Sequence, residues 1–175
     1  GGYNRTLPRV RYLTGPRVLM SVLWIDCWRA ASGDVFWHGG DDVTFNTAGW
    51  DRMVLGAFPA DGIAFVHGDD LGGKGDQLGT HGFVTKRWTD KVGTFTPPYF
   101  SSDFNDAWLN EVANALGRRV YLPDVVTEHW HPAFGKAEWD ATHNERVVRH
   151  WADDVDGKWA ATVDERDLWA EKLRT

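Results

Sequence analysis

Ala30-Ala31-Ser32-Gly33-Asp34-Val35-Phe36-Trp37-His38-Gly39-Gly40-Asp41-Asp42-Val43-Thr44-Phe45 is the stretch whose reading decides the fold. Ala30 and Ala31 close a helical run, and Gly33 suits the left-handed residue that often ends a helix. Val35-Phe36-Trp37 is a short, apolar, β-favouring run bounded by glycines, and reads as a buried strand. Gly39 and Gly40 permit a tight turn and a close ligand approach. Asp41 and Asp42 then fall just beyond the strand's carboxyl end, where open α/β sheets bind their ligands. Neighbouring carboxylates repel unless a cation or a donor neutralises them. Mg²⁺ and Mn²⁺ suit one or two carboxylates combined with substrate phosphates. Either Asp could instead cap a helix predicted over residues 44–55, with Trp50, Val54 and Leu55 turned inward.

Outward from this stretch the pattern alternates strands and helices. Upstream, Arg5, Arg9, Arg11 and Arg17 with Pro8 and Pro16 read as a loop containing a short strand from Val10 to Leu13. Arg17 has the chemistry to reach a phosphate, although a solvated basic loop is the simpler reading. Ser21 to Ala31 reads as a helix capped by Ser21, with Val22, Leu23, Ile25 and Trp28 on its apolar face. Downstream, Ile63 to His67 is a strand, and the Gly-rich run from His67 to Gly82 is a binding loop or lid. Within it, Gly68 to Lys74 fits a phosphate-loop pattern, but Gly75 stands where the Mg²⁺-binding hydroxyl belongs, so that reading is rejected. Asp69 and Asp70 read as a solvated acidic pair. His81 to Trp88 begins extended, and a helical turn from Thr89 ends at Gly93.

A helix capped by Ser101 or Ser102 carries Phe104, Ala107, Trp108, Val112, Ala115 and Leu116 on one face and stops at Gly117. Asp103 and Asp106 fall in its first turn, where the helix dipole alone would favour an acid. Residues 118–122 and 124–132 read as two strands, the second with His129 and His131 on one face. A same-face His pair can chelate a metal or simply occupy an edge strand. Beyond Pro132, residues 138–151 and 162–173 read as helices, the second with a Thr162-x-x-Glu165 capping box. Asp153 to Gly157 fails as a calcium loop because Ala152 and Val163 occupy ligand positions.

Three clusters then carry a resemblance: Ala-Ser-Gly-Asp with Gly40-Asp41-Asp42, the Asp103/Asp106 helix start, and Glu128-His129-Trp130-His131-Pro132. Their order resembles GT-A glycosyltransferases of the inverting family-two type, from about Leu7 to about Asn144. The resemblance implies a metal-dependent transferase of α/β class, with a GT-A-like, Rossmann-like mixed sheet. It implies Mn²⁺ or Mg²⁺ held by Asp41 or Asp42 with His129 or His131, on the diphosphate of a nucleotide-sugar donor, UDP-sugar first. Arg17 and Trp88 would contact the donor. Asp106, or else Asp103, would be the base that activates an acceptor hydroxyl on a glycan, protein or other polymer. Gly40-Asp41-Asp42 departs from a full DxD motif, so which Asp touches metal stays open. The chain also begins too late to contain the whole N-terminal βαβ unit that holds the nucleotide base. A fragment, a minimal form, or a homo-oligomer or partner chain supplying the rest would each account for this. On this reading residues 1–135 form the core and residues 136–175 a helical extension. Two other functions use the same residues: a non-catalytic binding module, and a metal-dependent hydrolase.

At 175 residues the chain can bury a real core. Its net charge of −6 argues against a broad nucleic-acid surface. Cys27 stands alone, so no internal disulfide can form and a reducing, cytoplasmic setting is expected. No apolar run reaches the roughly 18 residues of a membrane span. Among the eleven Trp, most belong to cores, with Trp37, Trp88 and Trp130 held as site walls.

Overall fold

The computed structural model describes residues 11–175; the readings of Arg5, Arg9 and the strand start at Val10 lie outside them. A mixed five-stranded sheet, curled and flanked by helices, forms the centre. Its strands are β1 (Val35–His38), β2 (Val43–Phe45), β3 (Phe65–Asp69), β4 (Gly82–Thr85) and β5 (Arg119–His129), in the order β1-β4-β3-β5-β2. β4 is antiparallel to both β1 and β3, whereas β3 and β5 run parallel, so β1, β3 and β5 point the same way. β2 closes the far edge, antiparallel to the last residues of β5. The helices are α1 (Met20–Ala30), α2 (Trp50–Ala57), α3 (Lys86–Val92), α4 (Asn105–Leu116), α5 (Ala141–Ala152), α6 (Val155–Ala161) and α7 (Val163–Arg174).

Alternation along the strands sorts side chains to two faces. Phe36, Phe65 and Val84 join Trp88, Phe100, Trp108, Leu109 and Val112 under α3, α4 and α7. Ala64, Val66, Phe83 and Val125 turn the other way, against Val54 of α2 and the rings of Trp37, Phe45 and Trp50. Both faces are covered, and β1 and β4 are accordingly apolar over most of their length. Trp169, Ala170 and Leu173 of α7 belong to the first cluster, so the C-terminal helices share the core of the sheet and are no appendage.

β5 is where the sequence reading needs most correction. The two strands read over residues 118–122 and 124–132 are one bent strand, Arg119–His129, and Pro132 already belongs to a short turn of 3-10 helix. The strand's pairing with β3 passes from Gly68↔Leu122 to Asp69↔Val126, leaving Pro123, Asp124 and Val125 in an irregularity. Pro123 has no N–H to give a ladder, which suits a bulge. Gly68 is required opposite it: a Cβ there would meet the Val125 carbonyl oxygen at 2.1 Å. The bend lets one strand pair with β3 in the core and then carry β2 and His129 outward.

Other boundaries shift for local reasons. Residues 44–55 are not one helix: Thr44 sits in β2, α2 starts at Trp50, and Leu55 is exposed. Residues 11–13 form no strand. α1 ends at Ala30 with Ala31 extended, so Gly33 plays no capping part. Ser21 is not the cap but lies buried inside α1. Its Oγ accepts from the Phe100 N–H at 3.0 Å and donates to Asn105 Oδ1 at 2.7 Å, fastening α1 to the start of α4. The helix ending at Gly93 begins at Lys86, earlier than Thr89. Thr162 forms no capping box, because its hydroxyl donates back to the Lys158 carbonyl while Glu165 accepts from the Tyr99 hydroxyl. Asp70, read as solvated, is buried, and its Oδ1 accepts from the Gly72 N–H at 2.8 Å. Among the described residues no helix is long and apolar enough to cross a membrane.

Candidate functional site

The carboxyl ends of β1 and β5 open into a cleft of about 500 Å³. β1 delivers His38, and the turn that follows delivers Gly40, Asp41 and Asp42. The end of β5 supplies His129, Trp130 and His131. Thr80 and His81 enter ahead of β4, and Met20 and Trp24 come from α1. Ser102, Asp103, Asn105 and Asp106 approach from the start of α4, and Asp140, Thr142, His143, Arg146 and Arg149 from α5. Asp41, Asp42, Asp103, Asp106, His129 and His131 therefore share one cavity, although they are dispersed in sequence.

Asp42 and His129 face each other directly, with Oδ2 and Nε2 3.0 Å apart. The backbone fixes this pair: the Trp130 N–H donates to the Asp42 carbonyl at 2.8 Å, and the His129 N–H to the Asp70 carbonyl at 3.1 Å. The hydrogen bond from His129 holds the Asp42 carboxyl below its ordinary range, against a burial that would raise it. The His131 ring stands 5.1 Å from that of His129, and its Nδ1 accepts from the Ala133 N–H. Trp130 is half exposed, with its indole N–H donated to Thr44 Oγ1 at 3.1 Å.

Asp103 and Asp106 differ in their surroundings. Asp103 precedes α4, next to Phe104 at φ 70°, instead of lying in its first turn. Its carboxylate accepts from Arg146 Nη1 at 2.6 and 2.8 Å and faces His150 Nδ1 at 2.7 Å. Asp106 does lie in the first turn of α4, and its Oδ1 accepts from the Ala107 N–H at 2.8 Å. Among the described residues no ion pair joins Asp106. Burial pushes its carboxyl up, and the charge of Asp103 adds to that. A carboxyl raised toward neutrality and open to a cleft has the character of a general base.

Two expected residues lie elsewhere. Trp88 is wholly buried in the core, because its place on α3 turns it under the sheet, so it lines no part of the cleft. Arg17 pairs with Glu145 of α5 and lines a separate groove with Val22 and Arg149. Trp37 packs against Phe45 and Phe83 on the other sheet face. The structure adds cleft members that the sequence reading passed over, Trp24, His38, His81, His143 and Arg146, and sets His150 against Asp103. His38 is almost completely buried with both ring nitrogens unpartnered, and burial lowers its pKa to about 3. Burial, then the charge of His129, lowers His81 to about 4. The spacing of Arg146, Arg149 and His150, three and four apart on one helical face, was the signal available for the α5 contribution.

Among the described residues no three or more His, Cys, Asp or Glu side chains are arranged to hold a metal ion. The donor set that does converge is one carboxylate and imidazole nitrogen, from Asp42 and His129, with His131 adjacent. Comparison with family models, curated proteins and solved structures gives no match to this chain.

Proposed function

We propose that the chain is a glycosyltransferase of GT-A, inverting family-two-like type. It would move a sugar from a nucleotide-diphosphate donor to an acceptor hydroxyl. One observation carries this reading: acids and histidines from each of the three sequence clusters behind the resemblance line a single cleft at the carboxyl ends of parallel-running strands. The separation of roles within the cleft also supports it, with Asp42 and His129 paired at one end and Asp106 unpaired in the wall from α4.

Asp42 with His129 or His131 would hold Mn²⁺ or Mg²⁺, whose charge would be set against the leaving diphosphate. Asp106 takes the proton of the acceptor hydroxyl as its oxygen bonds to the anomeric carbon. The bond from that carbon to the diphosphate oxygen breaks on the opposite side, giving inversion. Trp130 offers a flat apolar face at the mouth, suited to a sugar ring. His38 and His81 are neutral at pH 7, so this part of the floor adds no positive charge.

Calorimetry of UDP and other nucleoside diphosphates, with and without Mn²⁺, tests the reading. Metal-dependent binding that is lost in Asp42→Ala is the expected result. Failure of every nucleoside diphosphate to bind in the presence of metal would overturn it. A hydrolase would release sugar without an acceptor, which product analysis separates from transfer.

A further inference from the structure

Asp103 is gripped from the C-terminal part of the chain. Arg146 and His150 lie four residues apart on α5, and both reach back to its carboxylate. His150 is itself held from behind: its Nε2 lies 3.1 Å from Asp156 Oδ2 of α6. One imidazole thus stands between two carboxylates, each within hydrogen-bonding distance of a different ring nitrogen. A carboxylate can only accept, and a neutral imidazole has a single N–H. Both contacts are satisfied at once only by the imidazolium.

We infer that Arg146 and His150 are positioning residues: they hold Asp103 in place so that Asp106 is the carboxylate of the pair left to take a proton. His150 does so only as an imidazolium braced by Asp156. The inference rests on the glycosyltransferase reading for the role of Asp106, while the clamp itself is a matter of geometry. The groups facing His150 are Asp103 ahead of α4, Asp156 of α6, Arg146 through their shared carboxylate, and the neutral rings of Phe104 and Trp151. The two carboxylates raise its pKa, Asp156 foremost. The clamp is therefore complete below the ordinary histidine range and is lost as pH rises through the raised folded value. Losing it leaves the charge of Asp103 less compensated beside Asp106, which pushes the Asp106 carboxyl further up. Through α5 and α6, the C-terminal helices thereby become part of the site.

Nuclear magnetic resonance on the whole chain tests this without substrate. Long-range ¹⁵N correlations read the His150 ring, and ¹³C carboxyl shifts read Asp106. His150 is expected to carry protons on both nitrogens up to a midpoint above the ordinary histidine value, and that midpoint is expected to fall in Asp156→Asn. The Asp106 midpoint is expected to rise in His150→Gln and in Arg146→Met, and to return to the wild-type value in Arg146→Lys. A purely structural role would not be rescued by charge in this way. A His150 midpoint at or below the ordinary value, or an Asp106 midpoint unmoved by both variants, would overturn the inference. Should these shifts appear while no nucleotide binds, the glycosyltransferase reading fails and the clamp stands.

Discussion

Asp42 and His129 are 87 positions apart in the chain, yet their side chains meet at 3.0 Å. The contact follows from the sheet edge. Val43, next to Asp42, pairs with His129 across the β2–β5 ladder, so the backbone brings the carboxylate and the imidazole together. Burial then decides how strongly they interact, since the His129 side chain is mostly withdrawn from water while Asp42 keeps a face on the cleft. A pair fixed by strand register needs little further ordering to keep this contact.

Asp106→Asn separates function from stability. The Asp106 carboxyl is raised in the folded chain, so its ionised form costs stability at every pH above that folded value. Asn keeps an oxygen that can accept from the Ala107 N–H. At pH 7 the variant is expected to be at least as stable as wild type in urea unfolding. Its transfer rate is expected to fall by about 10²–10⁴, the range for loss of a general base. A variant that unfolds early, or that transfers sugar at the wild-type rate, would remove Asp106 from this role.

His38→Phe changes acid tolerance. The His38 pKa is lowered to about 3 by burial, well below its value in the unfolded chain. Between those values the unfolded state binds the extra proton, so stability falls as pH drops below the ordinary histidine range. One such proton corresponds to about 1.4 kcal/mol per pH unit. Phe can keep the edge contact with Trp24, whose ring lies 4.1 Å from that of His38, and has no ring nitrogen to charge. Its urea midpoint is expected to decline less between pH 6 and pH 4 (about two units) than that of wild type. Parallel declines for the two proteins would contradict the assignment.

Asn110→Ala loosens the Gly-rich segment. The side chain of Asn110 in α4 accepts from the Gly79 N–H at 2.9 Å and donates to the Gly79 carbonyl at 2.8 Å. Truncation leaves two backbone groups without partners, at about 1–3 kcal/mol for each that stays buried. Hydrogen exchange at Gly79 should accelerate by more than tenfold, while amides in β3 should change less. Uniform acceleration across the sheet would show instead that the residue supports the whole fold.

The α/β class, the strand at Val35, the stop of α4 at Gly117 and the paired acids after β1 were legible in residues alone, because periodicity, glycine punctuation and charge are local properties. Gly117 does adopt the left-handed conformation, with φ 63°, that its place at the end of the helix predicts. The acidic and histidine clusters were visible as sequence features for the same reason. What local pattern could not supply was which face each aromatic takes, and which distant charges meet. Trp88 and Trp130 are the same residue type, yet Trp88 on α3 is core and Trp130, just after β5, stands at the cleft mouth.

The amino-acid sequence by itself determined some of the turns and short runs, among them β1 and the end of α4 at Gly117, since these depend on neighbours a few residues away. It also determined that acids and histidines were available in quantity. Only the tertiary structure decided that β5 is one bent strand, because that requires Gly68 to lie beneath the Val125 carbonyl. Only it decided that Asp103 is held by α5 while Asp106 is not. These outcomes depend on the packing of α4, α5 and α6 against one another, and packing is a property of three dimensions that no window of sequence contains.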